Sequence, residues 1–301
     1  MLKETPPSDR LVLGARDVRF DWSDLPRHWV PDEPLATHLM NVLHLLLPAG
    51  ERWFVAVFQQ ALPLITDEEL RRDVLGFIGQ EALHARAHQE VLDHYTAQGL
   101  DCRPFTDQME WFFSVLLGDR PRLRGRAESE WLVSRLAIIA AIEHITAFMG
   151  DWILNAEGLD RAGCDPTMLD LLRWHGAEEV EHRSVAFDLY RHVDGRHLRR
   201  IEAMVLVAPM LFVLWRKGVR FLYSIDGELA GRPLPRVRDV RGPASRGVTP
   251  ALSHLGRKVL RYFSRSYHPS MEGDTDQAVA YLAASPAARA AEGRAAEGRA
   301  A

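Results

Sequence analysis

Two pairs of glutamate and histidine have the same spacing, with the histidine three residues after the acid. Glu81 precedes His84, and Glu179 precedes His182. Residues three apart lie on the same face of an α-helix, so each pair can offer a carboxylate and an imidazole to one metal ion. Chance placement produces roughly one such pair in a chain of this composition, so a single pair is weak evidence for a metal site.

Two further glutamates lie on other predicted helices, and the helix of Glu143 is strongly apolar, so an unpaired acid there costs free energy. Glu51 follows L-L-L-P-A-G, and Glu143 lies in L-A-I-I-A-A-I-E-H-I. In chain order the residues therefore read carboxylate, Glu-x-x-His, carboxylate, Glu-x-x-His, the pattern by which four-helix bundles build carboxylate-bridged sites for two metals. Such a donor set suits two iron or manganese ions better than one zinc ion, which prefers four ligands.

Four long helices are predicted to carry these residues. Asp165 as N-cap opens one that runs to Tyr190. Thr66 and Glu69 form a predicted capping box for another, which ends before Gly99.

The other two predicted helices carry the single glutamates. A helix over 35–47 is expected to stop at Pro48, with a new helix carrying Glu51 near its start. Glu143 lies near the centre of the fourth helix, over 128–154. No segment shows the alternation of a β-strand, so the sequence predicts an all-α fold.

Three neighbouring residues bear on the ligand set. His175 lies four residues before Glu179 and is predicted as a seventh ligand; His88 is either a further ligand or a core histidine that supports one. Glu178 competes with Glu179, which is preferred because its spacing matches the first pair. The predicted metal ligands are Glu51, Glu81, His84, Glu143, His175, Glu179 and His182.

The alternative without a metal is that the acids form buried ion pairs. Candidate partners are Arg86, Arg135 and Arg183.

Several motifs resemble a bacterial family described as "predicted metal-dependent hydrolase", over roughly residues 15–285. They include F-D-W-S-D-L-P-R-H-W-V-P, F-I-G-Q-E-A-L-H-A-R-A-H and W-H-G-A-E-E-V-E-H-R-S-V-A-F-D. The ligand pattern is similar to that of the ferritin-like di-iron carboxylate proteins, and its His-x-x-x-Glu-x-x-His segment resembles the arylamine N-oxygenases. These resemblances imply a ferritin-like four-helix bundle core with extra peripheral helices, and two Fe ions as cofactors.

The resulting functional prediction is an O₂-dependent oxygenase or oxidase that acts on a small, largely apolar or aromatic substrate, with an electron donor as partner. One alternative is a metal-dependent hydrolase in which two metals activate water. Another is iron or manganese handling without catalysis. The alternative metals are a Mn/Fe pair, two Mn ions and Zn.

The side chains near Glu143 and near the two Glu-x-x-His pairs could either line a cavity or belong to the packed core. Small residues on the Glu143 face predict either a cavity or close helix packing: Ala140, Thr146, Ala147 and Gly150. Aromatic residues are either apolar walls of that cavity or ordinary core: Phe54, Phe58 and Trp174.

Composition limits the remaining function classes. The 301 residues carry a formal net charge of −4 without a basic cluster, so no nucleic-acid binding is expected. Two cysteines, Cys102 and Cys164, and a first segment without the apolar core of a signal peptide predict a cytoplasmic protein.

The chain is expected to form one domain over 1–285, followed by a low-complexity, disordered tail over 286–301. An ordered arm over 11–34 should pack its aromatic residues on the body. The apolar segment over 203–223, which Pro209 interrupts, suits a buried helix, a homodimer interface or peripheral membrane contact, but is too short to span a bilayer.

Overall fold

The computed structural model describes residues 12–300, and within this range the protein is helical without β-strands, which confirms the predicted all-α class. The predictions that concern the first eleven residues lie outside the described range. The α-helices, in chain order, are α1 (Pro34–Ala61), α2 (Glu68–Ala97), α3 (Arg103–Trp111), α4 (Arg126–Leu154), α5 (Glu157–Arg161), α6 (Pro166–His182), α7 (Val185–Val193), α8 (His197–Ile225), α9 (Arg241–Ser245), α10 (Leu252–Tyr262), α11 (Thr275–Ala284) and α12 (Pro286–Ala300).

The segment before α1 is an irregular arm that packs on the helices, as the sequence predicts. Trp22, Leu25 and Trp29 are buried in it. The Trp29 indole donates a hydrogen bond of 2.8 Å to the Asn41 side chain of α1. The arm is therefore held by its aromatic residues.

Helix α1 is continuous, so the predicted break at Pro48 is wrong. Pro48 lies inside the helix and is itself buried. A proline in a helix interior costs about 3 kcal/mol, whereas each large apolar side chain that α1 buries returns about 1.5–3 kcal/mol. Burial of much of the helix outweighs the lost hydrogen bond, and Glu51 lies in the helix interior.

The N-cap of helix α2 lies one residue after Thr66, the N-cap of the predicted capping box. The Asp67 carboxylate is the N-cap and accepts from the backbone N–H groups of Glu69 and Leu70 at 2.8 and 3.1 Å. Thr66 instead contacts His192 of α7. The helix ends before Gly99, whose φ of +86° takes the chain into the next turn.

The helix predicted over 165–190 is two helices, so this expectation is also wrong. Its start is confirmed, because the Asp165 carboxylate caps the Met168 N–H at 2.9 Å. Helix α6 ends at His182, where the Arg183 guanidinium folds back onto the Val180 carbonyl. In a continued helix that carbonyl would accept from Ser184, so the side chain competes with the helix bond.

Four helices contact one another in a closed cycle: α1 with α2, α2 with α6, α6 with α4, and α4 with α1. These are the helices that carry the predicted ligands. By length and composition α4 could cross a membrane, but 78% of its most apolar window is buried in the protein. Helix α4 is thus a central core helix.

Two peripheral helices cover this core. Helix α8 runs unbroken through Pro209, packs on α1 and α4, and leaves Val205, Leu206, Phe212 and Val213 exposed. A disordered tail was expected after 285, but the structure has α12 there. Its first turn docks on α6, where the Asp170 carboxylate accepts from the backbone N–H of Ala287 at 3.1 Å.

Candidate metal centre

The structure brings all seven predicted ligand residues together in the interior, between α1, α2, α4 and α6. Each of these residues is at most 6% exposed. Helix α1 contributes one acid, α2 an acid and a histidine, α4 one acid, and α6 an acid and two histidines.

One half of the cluster surrounds His182. Its Nε2 atom lies 3.4 Å from Glu81 Oε1, 3.4 Å from Glu143 Oε2 and 3.6 Å from Glu179 Oε2. Ligand atoms of these four residues all lie within 4.8 Å of one another, a spacing that allows one cation between them.

The other half contains His84, His175 and Glu51. His84 Nδ1 lies 3.4 Å from Glu81 Oε1 and 3.9 Å from Glu179 Oε1. His175 Nε2 lies 2.8 Å from Glu179 Oε1 and 3.7 Å from Glu51 Oε1. Glu81 and Glu179 therefore belong to both halves, so each could serve as a ligand in either half.

The hydrogen bonding of these atoms fits a metal. Among the buried side-chain atoms of the described chain that have no hydrogen-bond partner, nine belong to the predicted ligands: both carboxylate oxygens of Glu51, Glu81 and Glu143, Glu179 Oε2, His84 Nδ1 and His182 Nε2. An unpartnered buried polar group costs about 1–3 kcal/mol, and more when it is charged. All these atoms belong to the converging residues, so bound cations would satisfy them together.

For two of the acids, Glu51 and Glu143, burial and a neighbouring carboxylate disfavour the ionised form. Burial and the charge of Glu81 raise the pKa of Glu51 well above its ordinary value. Burial and the charge of Glu179 raise the pKa of Glu143 to about 8. A cation between such carboxylates would hold them ionised, because opposite charge favours the charged form.

Each histidine of the cluster is oriented by a hydrogen bond on its outer nitrogen. His84 Nε2 donates to Glu178 at 2.9 Å, and His182 Nδ1 donates to the Gln80 side-chain oxygen at 3.1 Å. Such partners fix the tautomer and ring orientation of metal-binding histidines. The sequence analysis did not identify Gln80, because it contacts His182 across two helices and no spacing along the chain shows this.

His175 is oriented by a chain of imidazoles. Its Nδ1 atom lies 2.6 Å from His88 Nε2, and His88 Nδ1 lies 2.7 Å from His44 Nδ1. Both ring nitrogens of His88 are thus engaged by other histidines. Of the two roles that the sequence left open for His88, this geometry fits support of a ligand.

One arginine side chain binds an acid beside the cluster, and two others bind acids elsewhere. Arg16 of the N-terminal arm pairs with Glu178 at 2.7 Å, so Glu178 is neutralised from outside while it holds His84. Arg135 pairs with Asp119, and Arg86 with Asp17. Ion pairing with Arg86 or Arg135 therefore does not explain the buried acids.

A cavity of about 80 Å³, called here the inner cavity, opens beside the second half of the cluster. Its lining includes Glu51, His175 and Glu179, and otherwise consists mainly of apolar side chains. Of the residues predicted to line a cavity, Phe54, Thr146 and Gly150 do so.

The remaining candidates for the cavity wall belong to the packed core. Phe58 stacks on Phe77 with ring centroids 4.6 Å apart, and Trp174 packs edge-on against His84 at 5.0 Å. Ala140 and Ala147 are buried outside the cavity lining. Close packing is the correct interpretation for these four.

The fold and the site together define an all-helical protein with buried clusters of histidine and glutamate that could hold metal ions. The chain belongs to the family described as "predicted metal-dependent hydrolase", whose sequence profile matches residues 14–273. Searches of curated proteins and of solved structures gave no match. The family description supports the hydrolase alternative better than the predicted oxygenase.

Proposed function

We propose that this chain is a dinuclear metal-dependent enzyme built on a ferritin-like four-helix core. The observation that carries the proposal is the set of unpartnered oxygens and nitrogens that converge from four helices, with Glu81 and Glu179 shared between the halves. The cycle of contacts among α1, α2, α6 and α4 supports the four-helix core. The seven predicted ligands would hold the two cations.

Hydrolysis is the reaction that the family description favours. Two bound metal ions would supply an activated water and polarise the substrate oxygen. The protein's own contribution is to place the substrate: the apolar walls of the inner cavity exclude water, and its ionisable groups lie together on one side, at Glu51, His175 and Glu179. An apolar substrate would therefore present its one polar, scissile group to that side.

Oxidation by O₂ is the second candidate, because of the donor set. Four carboxylates and three imidazoles are hard and borderline ligands that suit iron or manganese, whereas hydrolytic zinc sites use fewer ligands. The same apolar cavity would bind an apolar molecule for oxidation. Fe, a Mn/Fe pair, two Mn ions and Zn thus remain the proposed metals.

Metal analysis of the protein purified without added metal tests the proposal, followed by two assays of the loaded chain. We expect about two equivalents of metal per chain. Turnover of apolar esters without O₂ identifies the hydrolase; a transient visible absorbance when O₂ meets the anaerobically reduced protein identifies the oxidase. A chain that retains less than half an equivalent of any of these metals, even after reconstitution, contradicts the proposal.

A further inference from the structure

A second cavity, called here the outer cavity, adjoins the inner one. Its volume is about 160 Å³. The two cavities share five lining residues, which are Met40, Ile145, Met149, Leu211 and Trp215. The shared wall places the outer cavity directly beside the inner one, whose lining includes the ionisable side chains Glu51, His175 and Glu179.

The outer cavity has basic residues in its lining. The outer cavity is lined by Arg216 and Arg220 of α8 and by Arg236 of the following loop, and the described lining contains no acidic residue. Arg216 and Arg236 are exposed, and Arg220 is half-buried and donates to the Pro235 carbonyl at 3.4 Å. Positive charge is thus gathered at the rim of an otherwise apolar cavity.

A buried hydroxyl gives an independent indication of a polar ligand at the same place. Thr249 lines the outer cavity and is 3% exposed, and its Oγ1 atom has no hydrogen-bond partner among the residues that the structure describes. Buried hydroxyls are normally hydrogen-bonded. A ligand oxygen bound in the outer cavity beside Thr249 would satisfy this one.

We propose that the two cavities form one binding site for an elongated amphipathic substrate, with an apolar chain and an anionic head group. The head group, a carboxylate or a phosphate, binds Arg216 and Arg236 at the rim and accepts a hydrogen bond from Thr249 in the same cavity. The chain passes between Met149 and Trp215 into the inner cavity and brings its other end to the metal centre. The reaction at that end of the chain rests on the proposed function. Binding of the amphipathic molecule does not.

Binding of dodecanoate, dodecyl phosphate, dodecan-1-ol and dodecyltrimethylammonium, measured by calorimetry below their micelle concentrations, tests the head group. We expect one of the two anions to bind at least about tenfold more tightly than the alcohol and the cation, since a pair of exposed charge contacts is worth roughly this factor. Whichever anion binds more tightly identifies the head group. Equal affinity for the anions, the alcohol and the cation overturns the proposal.

Paired variants test the arginines. The Arg216→Ala/Arg236→Ala double variant should lose about tenfold in affinity for the anion and keep its affinity for dodecan-1-ol. Lys217→Ala/Arg238→Ala is the matched control, because it removes the same charge from neighbouring exposed positions that do not line the cavity. An equal loss in both double variants would show a general charge effect and contradict the site.

Met149→Trp tests the path by narrowing the shared wall. We expect weaker binding of the anion that the native chain binds more tightly, with an unchanged far-UV circular dichroism spectrum, which shows that the variant is folded. If Met149→Trp does not fold, Ile145→Phe replaces it. Unchanged binding in a folded variant overturns the path.

The metal content of every sample separates this proposal from the preceding one. A chain that retains metal but binds neither anion contradicts the amphipathic site alone. A chain that binds an anion through the arginines but retains no metal contradicts the metal centre alone.

Discussion

Gly150 of α4 and Gly176 of α6 lie in direct contact. A Cβ atom on Gly150 would lie 2.5 Å from the Gly176 carbonyl oxygen and 3.0 Å from Glu179 Cβ. A Cβ atom on Gly176 would lie 2.5 Å from Ile153 and 3.0 Å from Gly150 Cα. The absence of two side chains therefore sets how closely α4 approaches α6, and with it the distance between their acids.

Gly176→Ala should accordingly destabilise the protein by about 1–3 kcal/mol, because α4 and α6 must move apart to admit the methyl group. The same movement should weaken metal binding. Gly256→Ala is the control: Gly256 lies inside α10 with open space around it, so alanine should stabilise by about 0.5–1 kcal/mol. Urea unfolding measures the change in the free energy of unfolding in both variants. A Gly176 variant as stable as the native protein would show that the contact is not tight.

Glu178→Gln tests the orientation of His84. Glutamine keeps the shape but removes the charge that accepts the His84 Nε2 hydrogen bond. Loss of such a partner typically lowers metal affinity about 10–100-fold, which a competition titration with a chelator measures. Arg16→Ala is the control, because it removes the cation that pairs with Glu178 and leaves the carboxylate that accepts from His84. Equal losses of metal affinity in the two variants would show that the effect comes from the lost contact with Arg16 and not from the orientation of His84.

A third cluster, remote from the acids, predicts a pH effect on stability. Asp226 accepts from His28 at 2.6 Å and from His38 at 2.9 Å, and so joins the N-terminal arm, α1 and the end of α8. Burial raises the pKa of Asp226, but the hydrogen bonds from His38 and His28 outweigh burial and hold this pKa below its ordinary value. A depressed pKa stabilises the folded state above the unfolded pKa of about 4, and this stabilisation is lost as the pH falls further.

Asp226→Asn should therefore lower the free energy of unfolding by about 1–3 kcal/mol at pH 5. The difference in unfolding free energy between Asp226→Asn and the native protein should become smaller towards pH 3.5, because the stabilisation by the ionised Asp226 carboxylate begins to be lost there. Urea unfolding at the two pH values measures it, with the exposed Asp107→Asn as control. A difference that grows on acidification would have the wrong sign for this mechanism.

The sequence predicted which residues converge in the interior because its signal is local. Glu-x-x-His is read along one helix, and acids such as Glu143 stand out in apolar stretches. The all-α class followed from periodicity in the same way. The sequence therefore predicted which residues converge. The structure adds how these residues divide into two halves.

Other features depend on contacts between distant residues and could not be predicted. Pro48 is tolerated because burial along α1 outweighs one lost bond, and the α6–α7 break depends on where the Arg183 side chain folds. The bond between Gln80 and His182 joins two helices. The outer cavity that Arg216, Arg236 and Thr249 line likewise appears only when α8 and the following loops have packed.

The division into two halves can be tested by the number of cations that each variant binds. Glu143 belongs to the half around His182, and Glu51 to the half around His175. Removal of either acid should therefore empty one position and leave the other filled.

The most direct measurement is the metal stoichiometry of the native chain, Glu51→Ala, Glu143→Ala and the exposed α4 control Glu128→Ala, after reconstitution and removal of loosely bound metal. Two bridged cations predict about two equivalents for the native chain and the control, and about one for each of the other variants. Two equivalents in all four proteins, or none in the native chain, would contradict a dinuclear centre at these residues.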